Sequence, residues 1–185
     1  MLSPQWQWNH NPVPESWSLS ARPGWLRLEG LPASDPSRAK NTLTQKLWDD
    51  AGIIDVHLDV KALARGQRAG LAFISGSSFG WAGVRTSGGT RRITWDAGSG
   101  PEVAGPDVAG AEVWLRGRYA GDTARFEYSL DGRTYADTGV AFPLRFGHWK
   151  GARFGILCYG DGGHVDVDYV RYRYGDEASM SIAGF

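Results

Sequence analysis

The fold of this chain is decided by the stretch EVWLRGRYAGDTARFEYSLDG, residues 112–132, in which apolar and polar side chains alternate on both sides of a short turn. Alternation with a period of two residues indicates a β-strand that buries one face. Gly121 and Asp122 form a turn that is too short for a parallel crossover. The stretch therefore predicts an antiparallel hairpin, and Asp131-Gly132 is a second turn leading into a further strand.

Short alternating or apolar runs recur along the rest of the chain, separated by Gly, Pro and Asp. We predict strands over residues 25–29, 41–47, 54–60, 69–74, 81–85, 91–95, 153–159 and 164–174. One short helical turn is predicted near 61–64, and the nearly apolar run 69–74 indicates a central strand covered on both sides. This pattern predicts an all-β fold, a β-sandwich of two antiparallel sheets. We expect a single domain over 1–185, with a core at about 6–174 and a loose tail at 175–185.

Composition narrows the class of partner. The 185 residues carry 20 Lys and Arg against 20 Asp and Glu, so the basic surplus needed for nucleic acid or an anionic membrane is lacking. The sequence contains no apolar run long enough to span a bilayer and no signal-peptide pattern at its start. Cys158 is the single cysteine, which fits a reducing compartment such as the cytoplasm, or a segment of a longer protein. We expect no nucleic-acid and no membrane partner.

Acidic pairs are the candidates for catalytic or metal chemistry. Asp166 and Asp168 share one face of a predicted strand, about 6–7 Å apart. That spacing suits the two carboxyls of a glycosidase, oxygen ligands for a structural Ca²⁺, or a solvated polar strand face. Cys158 lies in an apolar run and is predicted to be an inert core thiol. The four histidines have no metal-ligand spacing.

Nine tryptophans make aromatic stacking the other candidate chemistry. At the start of the chain, residues 6–12 place Trp6 and Trp8 on one face of an extended segment, followed by Asn, His and Asn. Indoles beside amides suit a sugar, because C–H faces stack on rings while hydroxyls bind amides. The alternative is a first strand whose indoles cap the core. Residues 146–151 and 159–164 are further candidate loops.

Several segments resemble one family when they are read together. Residues 6–12, 17–19, 22–28 and 40–46 are similar in order and spacing to the C-terminal β-sandwich module of family 43 glycoside hydrolases, which are β-xylosidases and α-arabinofuranosidases. The runs 69–72, 128–132, 151–155 and 165–172 fit the same module. The resemblance implies a concanavalin-like jelly roll and an accessory role beside a five-bladed catalytic propeller. The propeller would hold the catalytic carboxylates, so we expect this chain to be no enzyme itself.

The resemblance also implies partners and sites. The family includes modules grouped as xylan-binding, and one aromatic loop of the module closes the active site; by position this loop is His148-Trp149-Lys150. The leading hypothesis is binding of xylan or xylooligosaccharides through stacked rings, and the alternative is a structural domain that docks on the propeller without sugar affinity. A lone glycosidase is the third hypothesis. The candidate sugar-binding residues are Trp6, Trp8, Asn9, His10, Asn11, Arg38, Asn41, Gln45, Trp81, His148, Trp149 and Tyr159; Asp166 and Asp168 are the candidate Ca²⁺ ligands.

Overall fold

A computed structural model describes residues 2–98, 100–145, 151–175 and 180–183. One short 3₁₀ helix, Pro14–Ser16, lies among its strands. The strands, in chain order, are β1 (Gln7–Trp8), β2 (Trp17–Ser18), β3 (Leu26–Gly30), β4 (Leu43–Lys46), β5 (Ala51–Asp59), β6 (Arg68–Ser75), β7 (Ser78–Ser87), β8 (Thr90–Asp96), β9 (Val103–Asp107), β10 (Glu112–Ala120), β11 (Thr123–Ser129), β12 (Ala136–Pro143), β13 (Ala152–Tyr159), β14 (Gly162–Tyr174) and β15 (Met180–Ala183).

Two antiparallel sheets are formed by these strands. The seven-stranded sheet has the order β1-β4-β13-β6-β7-β8-β9, and the eight-stranded sheet has the order β12-β11-β10-β5-β14-β3-β2 with β15 beside β14. The predicted all-β sandwich is confirmed, and β10 pairs with β11 across the predicted turn, from Trp114↔Ser129 to Ala120↔Thr123. In the described part of the chain, no helix is long and apolar enough to cross a membrane.

The core lies between the sheets and uses one face of each. Leu71 and Phe73 of β6 belong to the same buried cluster as Leu115 and Phe126 of the opposite sheet. The alternate residues of β6 are also buried, because its outer face packs in a second cluster with Trp81, Tyr159 and Ala39. Both faces of this central strand are therefore covered, as its apolar run predicts.

Residues 60–67 form turns, so the helical turn predicted near 61–64 is wrong. The Gln67 side chain stabilises this conformation: its Oε1 accepts from the Ala64 backbone N–H at 2.7 Å. Its Nε2 donates to the carbonyls of Gly160, Gly162 and Gly163 at 3.0–3.2 Å. One fully buried amide thus joins the β5–β6 loop to the β13–β14 turn. Local helix propensity cannot predict an interaction between segments so distant in the sequence.

The outer face of the eight-stranded sheet carries a network of ion pairs. Arg22 Nη1 and Arg27 Nε contact Asp166 at 3.2 and 2.8 Å, and Asp55 accepts from Arg116 and Arg173 at 2.5 and 2.8 Å. Burial acts to raise the pKa of Asp166, but hydrogen bonds from Arg27 and Arg22 outweigh it, so this pKa lies below its ordinary value. Asp166 therefore stabilises the fold in its ionised form.

We expect Gln67→Ala to destabilise the protein by about 3 kcal/mol, because it leaves one N–H and three carbonyls in the two loops without their partner. Urea unfolding measures the change. The control is Gln7→Ala, an exposed β1 side chain, which should leave the free energy of unfolding within about 0.5 kcal/mol of the parent. Equal stability of the two variants would contradict this assignment.

We expect Asp166→Asn to cost about 2 kcal/mol at neutral pH, since charge-assisted hydrogen bonds from Arg27 are lost. A lowered native pKa gives stability that is present above about pH 4 and is lost as the pH falls through the native pKa. The difference between parent and variant should therefore shrink in urea unfolding at about pH 3. The exposed Glu15→Gln variant is the control; a difference that stays constant with pH refutes this assignment.

Candidate functional site

The two indoles at the start of the chain face the core. Trp6 is buried and packs edge-on against Phe154, with ring centroids 6.0 Å apart. Trp8 lies beside Trp17 at 5.1 Å and contacts the same core cluster. The structure therefore matches the core-capping alternative for this pair. A role for either ring in sugar binding stays a prediction.

The amides predicted to bind sugar hydroxyls are largely occupied within the fold. Asn9 donates to the Ser37 carbonyl at 2.9 Å and accepts from Arg153 at 2.8 Å. Asn41 is buried and bonds the Val13 backbone N–H together with two backbone carbonyls. Gln45 is also buried. Asn9 and Asn41 thus hold the segments before β4 in place.

Trp81 and Tyr159 lie on the outer face of the seven-stranded sheet, but neither ring is open. They meet edge-on at 6.3 Å and are 1% and 3% exposed. Ala39, and Ala33 at the edge of the cluster, come from the segment between β3 and β4 and pack against this pair. Neither ring therefore offers an open face in this structure, and a role for Trp81 or Tyr159 in sugar binding stays a prediction.

His10 and Arg38 are the predicted residues that the structure brings together at an open surface. Both line a cleft with Ser37, Ser77 and Phe79. His10 Nε2 lies 2.7 Å from the Ser37 carbonyl, while Arg38 is exposed. We name this the His10 cleft. The remaining predicted residue of this region, Asn11, is exposed outside it; His148 and Trp149 lie outside the described residues.

The candidate Ca²⁺ ligands are occupied by other partners. Asp166 is bound by arginines, and Asp168 Oδ2 lies 2.9 Å from His57 Nδ1. His57 in turn stacks on Trp114 at 4.6 Å. No group of three or more His, Cys, Asp or Glu side chains able to hold a metal ion occurs within the ranges that the structure describes. Asp166 is buried while Asp168 is partly exposed, so the pair does not form a fully solvated strand face, and Ca²⁺ binding by these two residues stays a prediction.

Cys158 is buried in the core, as predicted, and burial raises the pKa of its thiol to about 12. A thiol that remains protonated is a poor nucleophile and a poor metal ligand. This residue therefore contributes packing in this structure.

Trp48 is the site residue that the sequence analysis did not single out. Its side chain is 58% exposed, the highest fraction among the exposed large apolar residues of the described chain. Its backbone N–H donates to Tyr172 Oη at 2.8 Å, and Tyr172 Oη lies 2.6 Å from Tyr119 Oη inside the sandwich. The loop is thus anchored while the indole points outward. The acidic pair at 49–50 after the predicted strand is a signal that could have indicated a loop here, but it does not report an exposed ring.

A cleft of about 510 Å³ adjoins Trp48. Leu47, Leu144 and Ala152 supply apolar lining, and Asp49, Asp50 and Arg145 are among its charged residues. Arg145 and Gly151 also line it and flank residues 146–150 in the sequence. We name Trp48 together with this cleft the Trp48 end.

A second polar cleft, of about 370 Å³, lies on the outer face of the seven-stranded sheet across β7, β8 and β9. Arg85, Arg92 and Glu102 provide its charges, and Ser87, Thr90 and Thr94 provide hydroxyls. We name it the Arg92 cleft.

Comparisons with known proteins agree with this architecture. Residues 1–173 match the family described as the β-xylosidase C-terminal concanavalin A-like domain. A β-xylosidase of Formosa agariphila is 32% identical over 92% of this chain, and the chain spans 33% of that protein.

Solved structures give the same picture. A bifunctional GH43-CE protein of Bacteroides eggerthii is 30% identical with a TM-score of 0.84, over 93% of this chain and 24% of that one. A GH43 glycoside hydrolase engineered to have both endo-xylanase and exo-arabinofuranosidase activity is 27% identical with a TM-score of 0.82, over 94% of this chain and 39% of that one. With the profile match over nearly its whole length, this chain belongs to the family of β-xylosidase C-terminal concanavalin A-like domains.

Proposed function

We propose that this chain is a non-catalytic accessory domain that docks on the catalytic domain of a family 43 glycoside hydrolase through the Trp48 end. The exposed indole of Trp48, on a loop whose backbone is anchored, is the observation that carries the proposal. The chain spans about a third of its β-xylosidase relative, so that relative has ample further chain to supply the surface that covers Trp48.

Exposure of one large ring on a fixed loop is typical of an interface anchor. Tryptophan is enriched among residues whose truncation costs most binding energy, and such residues lie in pockets of the partner. The Tyr172 hydroxyl holds the Trp48 backbone before any partner binds, so little conformational freedom is lost when the interface forms.

The cleft beside Trp48 has the mixed lining of a docking surface. Leu47 and Leu144 can exclude water, while Asp49, Asp50 and Arg145 offer charges of both signs at the interface. The resemblance identifies the active-site loop with His148-Trp149-Lys150, which lie between Arg145 and Gly151 in the sequence.

A second function, binding of xylan or xylooligosaccharides, is favoured by the His10 cleft. Phe79 and the His10 imidazole offer ring faces, and Arg38 and Ser77 offer hydrogen-bond donors. This combination suits a neutral sugar. Ser77 of this cleft lies in the β6–β7 turn, and Ser75 at the same turn is hydrogen-bonded to Arg145 of the Trp48 end. Sugar bound there would be close to a docked catalytic domain.

We expect this chain to restore xylosidase activity when it replaces the C-terminal third of the Formosa agariphila β-xylosidase, compared with the same enzyme truncated at that point. Trp48→Ala in the chimera should remove most of the restored activity. In a separate assay, this chain binds to the isolated catalytic domain. There, Trp48→Ala should raise the Kd about thirtyfold, as expected for an anchor residue that contributes about 2 kcal/mol to binding. Hydrolysis of an aryl xyloside measures the activity.

The matched control for this experiment is Leu130→Ala, which removes another exposed apolar side chain. Leu130 and Trp48 lie near opposite ends of β10. Leu130 follows Ser129, which pairs with Trp114 of β10. Trp48 lies near Ala51, which pairs with Ala120 at the other end of that strand. The control should behave as the unsubstituted chimera. Full activity of the Trp48→Ala chimera would refute docking through this end.

We expect weak binding of xylohexaose by the isolated chain, with little dependence on salt because the ligand is neutral. Arg38→Ala should raise the Kd about fivefold, which corresponds to one hydrogen bond of about 1 kcal/mol. Isothermal titration measures it, and Arg65→Ala, an exposed arginine of the β5–β6 loop, is the control. Absence of heat at high protein concentration, or the same Kd for both variants, would argue against the His10 cleft.

A further inference from the structure

The Arg92 cleft is shaped by two local features of the sheet. The β7–β8 turn contains Gly88 and Gly89, both with positive φ (60° and 86°), which permits a tight hairpin. The pairing of β8 with β9 shifts register between Arg92 and Thr94, and such irregularities bend the strand that carries the extra residue. Between these features the side chains of three strands enclose the cleft.

Hydrogen bonding within the cleft is unevenly used. Both carboxylate oxygens of Glu102 are engaged: Arg68 contacts each of them, and Arg85 Nη1 donates to Oε2 at 2.6 Å. Arg92 uses only its Nε, which donates to Asp107 at 2.7 Å. Within the described part of the chain the Arg92 amino groups and the Ser87 hydroxyl make no hydrogen bond. The free capacity is therefore mostly that of donors.

The charge of the cleft is also positive. Arg68, Arg85 and Arg92 contribute three positive charges, and Glu102 and Asp107 contribute two negative ones. One positive charge is therefore left over, because these groups contain one arginine more than they contain carboxylates. Arg92 is the most exposed of the three arginines, with a side chain that is 48% exposed. An acceptor-rich anion fits this arrangement better than a neutral hydroxyl or a cation.

We propose that the Arg92 cleft binds the carboxylate of a uronic acid residue on a saccharide chain. Arg92 would donate from both amino groups to the carboxylate, in the paired geometry that a guanidinium offers, and Ser87 and Thr90 would bind neighbouring sugar hydroxyls. The choice of polymer, a xylan bearing glucuronic acid, rests on the proposed accessory role. The preference for a carboxylate rests on the cleft alone.

The direct test compares glucuronoxylan with the same polymer after chemical reduction of its carboxyl groups. We expect the native polymer to bind at least about tenfold more tightly in isothermal titration, and this advantage should shrink as salt is raised. Free glucuronate should compete with the native polymer, and xylose should not. Equal affinity for the two polymers would overturn the carboxylate preference.

Two substitutions test the cleft in opposite directions. Arg92→Gln should weaken binding of glucuronoxylan about tenfold, because charge-assisted hydrogen bonds are lost. Asp107→Asn should strengthen it, because it removes the negative charge that competes for Arg92. Arg125→Gln is the control: it removes an exposed arginine from β11 of the other sheet and changes the net charge equally.

The outcomes separate this proposal from the others. Equal weakening by Arg92→Gln and Arg125→Gln would indicate a general charge effect and overturn the site. If Arg92→Gln proves unfolded by circular dichroism, the Asp107→Asn result decides, and unchanged or weaker binding overturns the proposal. If the reduced polymer still binds and Arg38→Ala weakens that binding, the remaining binding belongs to the His10 cleft. Docking through Trp48 is measured separately, by the chimera. Each of the three proposals can therefore fail without the others.

Discussion

The packing of one face of each sheet against the other is the constraint on which the rest of this structure depends. Phe73, Leu115 and Phe126 have no contact with solvent, or almost none. In β10 and β11 the alternate residues are largely polar and face outward, whereas those of β6 pack in the second buried cluster. The inner faces of both sheets are therefore fully occupied by apolar packing. Chemistry that involves a partner or a ligand is therefore confined to the outer faces, the loops and the ends of the sandwich.

The same constraint sorts the polar side chains into two groups. Asn41 and Gln67 lie where loops cross the sheets, and their amides replace backbone partners that those loops lack. Both amides are bonded within the fold, since leaving a buried amide unpaired costs free energy comparable to that of the bond itself. Arg92 and Arg38 have exposed side chains, whose free donors can bind either water or a ligand.

The strands could be predicted from the sequence because alternation reports directly which face of a strand is buried, as in β10 and β11. The exposure of each indole could not. Trp6 and Trp48 each have polar and apolar neighbours in the sequence. Trp6 is nevertheless buried, whereas Trp48 is 58% exposed. The difference depends on distant partners, Phe154 for Trp6 and the Tyr172 hydroxyl for the Trp48 backbone. Local sequence carries no record of those contacts.

The positions of the Trp48 end and the Arg92 cleft allow docking and ligand binding to occur in one domain. Ala152 pairs with Ser75 at the Trp48 end of β6, whereas Arg68 at the other end pairs with Arg85 of the Arg92 cleft. An eight-residue strand separates these ends by about 23 Å. A catalytic domain seated on Trp48 would leave the Arg92 cleft open, and the rigid sheet between them would hold a polymer bound there at a fixed distance from the docked partner.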